Sequence, residues 1–454
     1  MNDGRRSFIR GAAFLGAGLL TGKAASGAQH EHAQHPKPSP QEKPVRGATP
    51  PDFSAAAPRS FLPVETPDVP KLPWTMDNGV KVFHLVAEPV ERQLVPFKKM
   101  TVWGYNGSCP GPTIQVNQGD RVRIVFDNHL PESTTIHWHG LEVPIEMDGA
   151  PYISQKPVPP GGRFIYEFTL HQEGTYFYHS HGAMQEMMGM IGLFILHPPK
   201  PYRPRVDHDF GIILQEWAIL PNNSVPNTAN MEFNWLTFNG VAGPATTPLL
   251  VRLGSRVRIR LVNLGMDHHP IHLHGHQFYV TGTEGGRAPE STWYPGNTVL
   301  VGVAQARDIE FEAKYPGDWM LHCHLPHHMM NSMSDLMQDR MITPAALAEP
   351  EALSQMQTLS EAVGVEHIHH APIAPNANEV PGFPQDAFME MGMDEALVKP
   401  ETHGLPRNWS ANMMGMMSLV RVLPPVKYDE IMALKRQSRA NKPAEKPAHE
   451  HPHG

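Results

Sequence analysis

The chain has 454 residues, of which 28 are His, 25 Met, 47 Pro and only 2 Cys, and its formal net charge is −8. The acidic balance and the charged fraction of 18% exclude a nucleic-acid binder, which needs a concentrated basic face. Two Cys exclude a disulfide scaffold and a Cys-rich zinc protein. The length is typical of two or three domains, and the excess of His and Met favours a protein that binds copper.

Residues 1–28 have the features of an export signal. Arg5 and Arg6 precede Ser-Phe-Ile, an apolar run extends from Gly11 to Leu20, and small residues follow as far as Ala28. This segment is too short to span a membrane as a mature helix. The paired arginines resemble a twin-arginine signal, and an ordinary secretory signal is the alternative. We therefore expect an exported, periplasmic protein whose mature form has no membrane span.

Two polar segments flank the rest of the chain. Residues 29–73 are rich in Pro and lack apolar periodicity, which predicts an extended linker. Residues 431–454 end in alternating histidines, which predicts a disordered tail. Both ends could bind metal ions loosely.

The segment between them contains two copies of one β-rich unit. Residues 119–128 match residues 254–263, and both alternate apolar with polar residues between Pro and Gly turns. This pattern predicts an all-β protein made of two Greek-key β-sandwich domains, at residues 74–200 and 201–430. A match between the Met-rich ends of the copies indicates an insertion at residues 334–412, before the last strand of the second domain.

Pairs of His separated by one residue fall at corresponding places in the two copies. Residues i and i+2 of a strand point to the same face, so each pair presents two imidazoles together. The pairs are His137 and His139, His179 and His181, His272 and His274, and His322 and His324.

The second copy also carries the residues of a blue-copper site. Two His, one Cys thiolate and a weak Met ligand make such an electron-transfer site. The candidates are His269, Cys323, His328 and Met333, with Met416 as a weaker choice for the Met ligand. Ser180 and Gln185 replace Cys and the second His in the first copy, which should therefore hold no blue copper.

In these four His motifs and their order, the chain resembles the multicopper oxidases. The resemblance implies cupredoxin-like domains and four copper ions per active unit. It assigns His269, Cys323, His328 and Met333 to the type 1 copper, and His137 and His272 to the type 2 copper. It assigns His139, His179 and His324 to one type 3 ion, and His181, His274 and His322 to the other.

The same resemblance implies how the site works. Electrons would pass from Cys323 through its neighbours His322 and His324 to the cluster, where dioxygen is reduced to water. Asp148 resembles the family's acid that assists proton transfer, although an Asp before Gly149 is also typical of a turn. The carboxylate that the family usually has after the second blue-copper His is replaced by Met329.

The short separation of His181 and His272 resembles the two-domain class, in which neighbouring subunits complete the cluster. We therefore predict a homotrimer with interfacial clusters. The expected activity is oxidation of small phenols or Cu(I) by O2. The alternatives are a two-domain copper nitrite reductase and a non-catalytic periplasmic protein of copper binding or resistance.

Two features remain open. The insertion is rich in Met, with Met389, Met391 and Met393 in its densest run; thioethers select Cu(I), but Met also fills irregular apolar space. Cys109 has no partner once Cys323 binds copper, and we expect a buried structural thiol.

Overall fold

The computed structural model describes residues 61–96, 98–219, 223–231, 233–329 and 393–441. The predicted export signal, the first part of the linker, most of the insertion with Met333, and the last thirteen residues lie outside this part of the chain. Within it, no helix combines the length and apolar character needed to cross a membrane.

The first half of the described chain forms two facing sheets. Their strands are β1 (Trp74–Asp77), β2 (Val80–Val95), β3 (Lys98–Tyr105), β4 (Gly111–Asn117), β5 (Arg121–Asn128), β6 (Ile136–His139), β7 (Arg163–Thr169), β8 (Gly174–Ser180) and β9 (Ile191–His197). One sheet has the order β1-β2-β5-β7 with β3 beside β2, and the other has the order β4-β9-β8-β6. Every second residue of β5 is buried, as its alternating sequence predicts.

The second half repeats this arrangement. Its strands are β10 (His208–Trp217), β11 (Trp235–Phe238), β12 (Leu249–Arg252), β13 (Arg256–Asn263), β14 (His269–Leu273), β15 (Phe278–Thr283), β16 (Gly286–Arg287), β17 (Tyr294–Gly296), β18 (Thr298–Val301), β19 (Gln305–Glu312), β20 (Gly317–Cys323) and β21 (Met417–Leu423). One sheet has the order β11-β10-β13-β19-β15-β16 with β17 beside β15, and the other has the order β12-β21-β20-β14-β18.

The two halves share a connectivity. β2 runs parallel to β5 and β10 runs parallel to β13, while β6 pairs with β8 as β14 pairs with β20. A separate apolar cluster fills each pair of sheets, around Trp138 in the first and around Ile271 in the second. The all-β sandwich predicted from the alternating strands is confirmed. We call the halves the first and second sandwich.

Helices are few in the described chain. α1 (Ala183–Met187) follows β8, and α2 (Pro425–Asn441) follows β21. Short 3-10 turns occur at Ile145–Met147, Glu290–Thr292, Pro326–Met329, Asp394–Leu397, Pro400–Thr402 and Trp409–Asn412.

The described parts of both flanking segments, residues 61–73 and 431–441, pack against the body of the protein. Val64 of the predicted linker is fully buried in an apolar cluster that joins the two sandwiches. Residues 431–441 of the predicted tail are instead helical, because α2 extends to Asn441 and buries Ile431 completely. Lys435 of α2 forms ion pairs with Glu65 and Glu401, so the helix fastens both segments to the body of the protein. The polar composition of these segments did not predict the contacts, because only a few residues in each segment make them.

Candidate metal centres

Eight histidines lie at the ends of four paired strands, in two groups of four. His137 and His179 are direct cross-strand partners in the first sandwich. His272 and His322 are the corresponding partners in the second. The remaining histidine of each pair stands two residues further on, so the histidine side chains lie on one face of each strand pair.

The two groups have nearly the same geometry. The ring centroid of His137 lies 5.3–5.7 Å from those of the other three first-sandwich histidines. The ring centroid of His272 lies 4.9–5.6 Å from those of its three neighbours. The type 2 ligands that the resemblance assigns are thus the central ring of each group.

Facing ring nitrogens pair two histidines within each group. His139 Nδ1 lies 3.3 Å from His179 Nε2, and His274 Nε2 lies 3.1 Å from His322 Nε2. These are the two pairs whose members the resemblance assigns to a common ion. Burial, followed by the neighbouring His179, lowers the pKa of His139 to about 4, so its ring is neutral and able to bind a metal at neutral pH.

Asp148 lies beside the first group. The Nδ1–H of His137 donates to the backbone oxygen of Asp148 at 2.8 Å, and the carboxylate Oδ1 of Asp148 is 3.5 Å from the same nitrogen. Gly149 makes this approach possible, because it has φ +88° and a Cβ there would lie 1.8 Å from the backbone oxygen of Ile136. The Asp-Gly turn therefore also holds His137 with its other nitrogen free for a metal.

The second sandwich buries three further candidate ligands together. His269 and His328 place their Nδ1 atoms 3.1 Å apart, and Cys323 Sγ lies 3.8 Å from the first and 3.5 Å from the second. All three side chains are completely buried. These spacings suit one metal ion at about 2.0–2.3 Å from each donor, the range for imidazole nitrogen and thiolate sulfur.

The protonation of these ligands favours metal binding by the histidines and requires proton release by the thiol. Burial lowers the pKa of His269 to about 3 and that of His328 to about 4, so both rings are neutral. Burial raises the pKa of Cys323 to about 12 in the metal-free protein. A bound metal must therefore displace the thiol proton.

A fully buried methionine, Met416, is hydrogen-bonded through its backbone to two members of this trio. The N–H of Met416 donates to the His328 oxygen at 3.0 Å, and the N–H of Cys323 donates to the Met416 oxygen at 3.0 Å. Gly415, with φ +65°, permits this approach, because a Cβ there would lie 2.1 Å from the His328 oxygen. Met333, the preferred candidate from spacing along the chain, lies outside the described residues.

The first sandwich has hydrogen-bonded polar residues at the places of the buried trio. Thr134 Oγ1 is 3.1 Å from Ser180 Oγ, and Ser180 Oγ donates to Gln185 Oε1 at 2.6 Å. Met190 matches Met416, because its backbone oxygen accepts the Ser180 N–H at 3.1 Å. In this described pocket, Thr134, Ser180 and Gln185 stand where the second sandwich has His269, Cys323 and His328.

Sequence reasoning missed two carboxylates behind the trio. Glu216 Oε2 lies 3.4 Å from His269 Nε2, and Asp267 Oδ2 lies 3.4 Å from His328 Nε2. Glu216 is buried, which raises its pKa to about 7, and its other oxygen accepts the backbone N–H groups of Met266 and Asp267. The sequence offered one signal for Glu216, since an acidic residue near the end of the mostly apolar strand β10 indicates a specific role.

The strand register strengthens the case for Glu216. Leu214 pairs with Asn263 as Ala87 pairs with Asn128, so the position matching Glu216 in the first sandwich is Pro89. The carboxylate thus accompanies the Cys-containing site and is missing from the sandwich that lacks it.

The eight histidines do not form one site within the described chain. Their ring contacts with other histidines all join members of the same group of four. Each group can offer imidazole nitrogens, which suit copper, and each is open to solvent at His181 or His324. The donor sets therefore fit copper at one complete buried site and at two half-sites.

Comparisons with known proteins agree with this chemistry. Residues 88–201 and 220–340 match family models that are both described as multicopper oxidase. The chain is 33% identical over 142 residues to copper resistance protein A from Pseudomonas syringae pv. tomato, covering 31% of this chain and 23% of that protein. It is 31% identical over 237 residues to laccase-2 from Botryotinia fuckeliana, covering 47% of this chain and 40% of that protein.

Among solved structures, the chain is similar to a blue copper oxidase from Nitrosomonas europaea. The sequence identity is 30% and the TM-score 0.51, and the match covers 55% of this chain and 81% of that one. The matched regions span less than half the length of the two curated relatives above.

Proposed function

Because the chain belongs to the multicopper oxidase family, we propose that it couples one-electron oxidation of a reducing substrate at a type 1 copper to four-electron reduction of O2 to water at a trinuclear copper cluster. The observation that carries this proposal is the combination of the buried His269, Cys323 and His328 trio with eight histidines at matched strand ends. Copper storage alone would not require both. Bound copper would supply the one-electron chemistry that side chains lack.

The chain's own residues supply the route between the two sites. Cys323 belongs to the buried trio, and its neighbours His322 and His324 belong to the second-sandwich group. The backbone therefore joins the substrate-oxidising and oxygen-reducing sites over a single residue. Asp148, which holds His137, is the candidate for delivering protons at the cluster.

Oxygen uptake by the copper-loaded protein tests this activity. We expect uptake with a phenol or with Cu(I) as donor, and no nitrite reduction under anaerobic conditions, since Ser180 stands where nitrite reductases of two domains have the blue-copper Cys. Protein stripped of copper is the control. Nitrite turnover without oxygen uptake would favour the reductase, and copper binding without either reaction would favour a storage or resistance protein.

We also propose that the active form is an exported homotrimer. The two half-sites, each with four histidines, support clusters that form between the first sandwich of one subunit and the second sandwich of the next. A closed ring of three would complete every such cluster with a single kind of contact.

Met416 is the thioether that we propose for the type 1 copper, in place of Met333. Its support is complete burial and the two backbone hydrogen bonds to Cys323 and His328. Changing Met416 to Leu should raise the reduction potential by on the order of 59 mV, a tenfold change in equilibrium, because the axial ligand tunes the potential. Redox titration and the visible spectrum measure the shift. Met333→Leu is the control, and a shift in that variant alone would restore the original assignment.

Cu(I) is the substrate that we favour, with the Met-rich insertion as its point of capture. The described end of the insertion packs near the type 1 site, where Trp409 and Met413 share an apolar cluster with Met329, the neighbour of His328. Similarity to a protein named for copper resistance supports a role in handling copper. An adaptable apolar lid remains the alternative role of these methionines.

Changing Met389, Met391 and Met393 together to Leu tests this role. Leu preserves apolar volume but removes the soft sulfur, so kcat/KM for Cu(I) should fall about tenfold while phenol oxidation stays constant. Steady-state oxygen uptake measures both donors. Cu(I) oxidation at the original rate would refute capture of Cu(I) by these methionines and would favour their role as an adaptable apolar lid.

A further inference from the structure

One histidine of the first group contacts a carboxylate that has no counterpart in the second group. Glu186 Oε1 lies 3.3 Å from His179 Nδ1, and the His179 side chain is only 6% exposed. The same Nδ1–H donates to the backbone oxygen of Ser180 at 2.7 Å. His322 makes the equivalent bond to Cys323 at 2.7 Å. The backbone acceptor is therefore common to both sandwiches, and the carboxylate is an addition in the first.

The repeat identifies what replaces it. Gln185 and His328 each stand four residues after the last His of their motif. The residue that corresponds to Glu186 is therefore Met329. Met329 packs in an apolar cluster with Trp409 and Met413. The two sandwiches thus differ in charge at this position.

Glu186 is held on a fixed turn. Its own N–H donates to the oxygen of Gly182 at 3.0 Å, within α1. The preceding Gln185 anchors α1 through Ser180 Oγ at 2.6 Å and through the backbone oxygen of Ser133 at 3.0 Å. Such anchoring directs the carboxylate towards His179, since side chains on rigid elements hold a site better than those on loops.

The difference in charge extends across the whole half-site. Among the described residues, the acid contacts of the eight histidines within 4.0 Å are Asp148 on His137 and Glu186 on His179. In the second group, His272 Nδ1 instead faces the backbone oxygen of Asn297 at 2.7 Å and Thr298 Oγ1 at 3.0 Å. Both carboxylates therefore belong to the first sandwich.

We propose that Glu186 is a positioning residue of the trinuclear cluster, whose carboxylate faces the Nδ1–H that His179 donates to Ser180 and leaves Nε2 to the metal. The inference rests on the proposed function. His179 Nε2 already faces the Nδ1 of His139 at 3.3 Å, where a common ion would bind. The backbone oxygen of Ser180 fixes the tautomer, and the nearby carboxylate raises the basicity of the ligand nitrogen. Loss of such an outer partner typically costs about 10- to 100-fold in metal affinity.

The test is a copper titration of the copper-free full-length protein against a chelator, with Cu(II) as the probe. Glu186→Gln should weaken the binding of the non-blue copper about tenfold or more and change its EPR spectrum. The Cys323 site should keep both its blue absorption and its affinity for copper. Glu186→Asp, which retains the carboxylate, should recover part of the loss. Glu91→Gln removes the same charge from an exposed side chain of the first sandwich and should bind copper as the original protein does.

Three results would overturn the inference. Unchanged non-blue affinity and spectrum in Glu186→Gln would show that the contact has no effect on the metal. Equal loss of blue and non-blue copper in Glu186→Gln and Glu186→Asp would show a general structural role. Blue copper without any further copper in the original protein would refute the proposed cluster itself, and this failure is visible before any variant is made.

Discussion

Changing Cys323 to Ser should abolish the blue colour. It should also reduce oxygen uptake with any one-electron donor at least about 1000-fold, because the proposed cluster receives its electrons through the Cys323 site and the two sites act as a unit. A serine hydroxyl does not replace the thiolate in a blue-copper site. The eight histidines lie outside the trio, so most non-blue copper should stay bound. Visible absorption, copper content and oxygen uptake of the purified protein measure these three effects.

Cys109 provides a matched control. It is fully buried in an apolar cluster that contains Trp217 and no member of the trio, and its Sγ contacts the backbone oxygen of Gly189. Cys109→Ser should therefore keep the blue absorption and the activity, at some cost in stability from an added polar group. A Cys323→Ser protein that remained blue and active would refute the assignment of Cys323.

Mixing two inactive variants should restore activity if the clusters form between subunits. His137→Ala damages the first-sandwich half-site, and His272→Ala damages the second. In trimers assembled at random from equal amounts, about a quarter of the interfaces combine two intact halves, so we expect about a quarter of the original oxygen uptake. The measurement is oxygen uptake of the co-expressed or reassembled mixture.

The control mixture combines His137→Ala with His139→Ala. Both substitutions damage the first-sandwich half, so no interface contains two intact halves and no activity should return. Clusters formed within one chain would leave the first mixture as inactive as the control. An active, copper-loaded monomer in light scattering would contradict the trimer directly.

Patterns that are local in the sequence predicted the fold and most of the site. Alternation in β5 and its repeat in β13 indicated paired sheets, and each His-x-His motif is a property of one strand. The convergence of His137 with His179 follows from strand pairing, which duplicated motifs made foreseeable.

What the sequence did not reveal depends on contacts between distant segments. The choice of Met333 rested on spacing along the chain, whereas Met416 reaches the trio through backbone pairing after a long insertion. Glu216 on β10 contacts His269 on β14. The position of the Glu186 carboxylate depends on how α1 is anchored. No residue spacing encodes such contacts. The packing of Val64 and Ile431 was equally hidden within polar segments.

The backbone bonds at Met416 have a consequence for how the protein can change. If the loop that joins His328 to the proposed thioether ligand had no insertion, copper geometry would limit its length. Here two hydrogen bonds and Gly415 fix Met416 independently of the residues between them. The number of residues between His328 and Met416 is thus not set by the position of Met416, so the sequence between them can change while these backbone contacts stay in place.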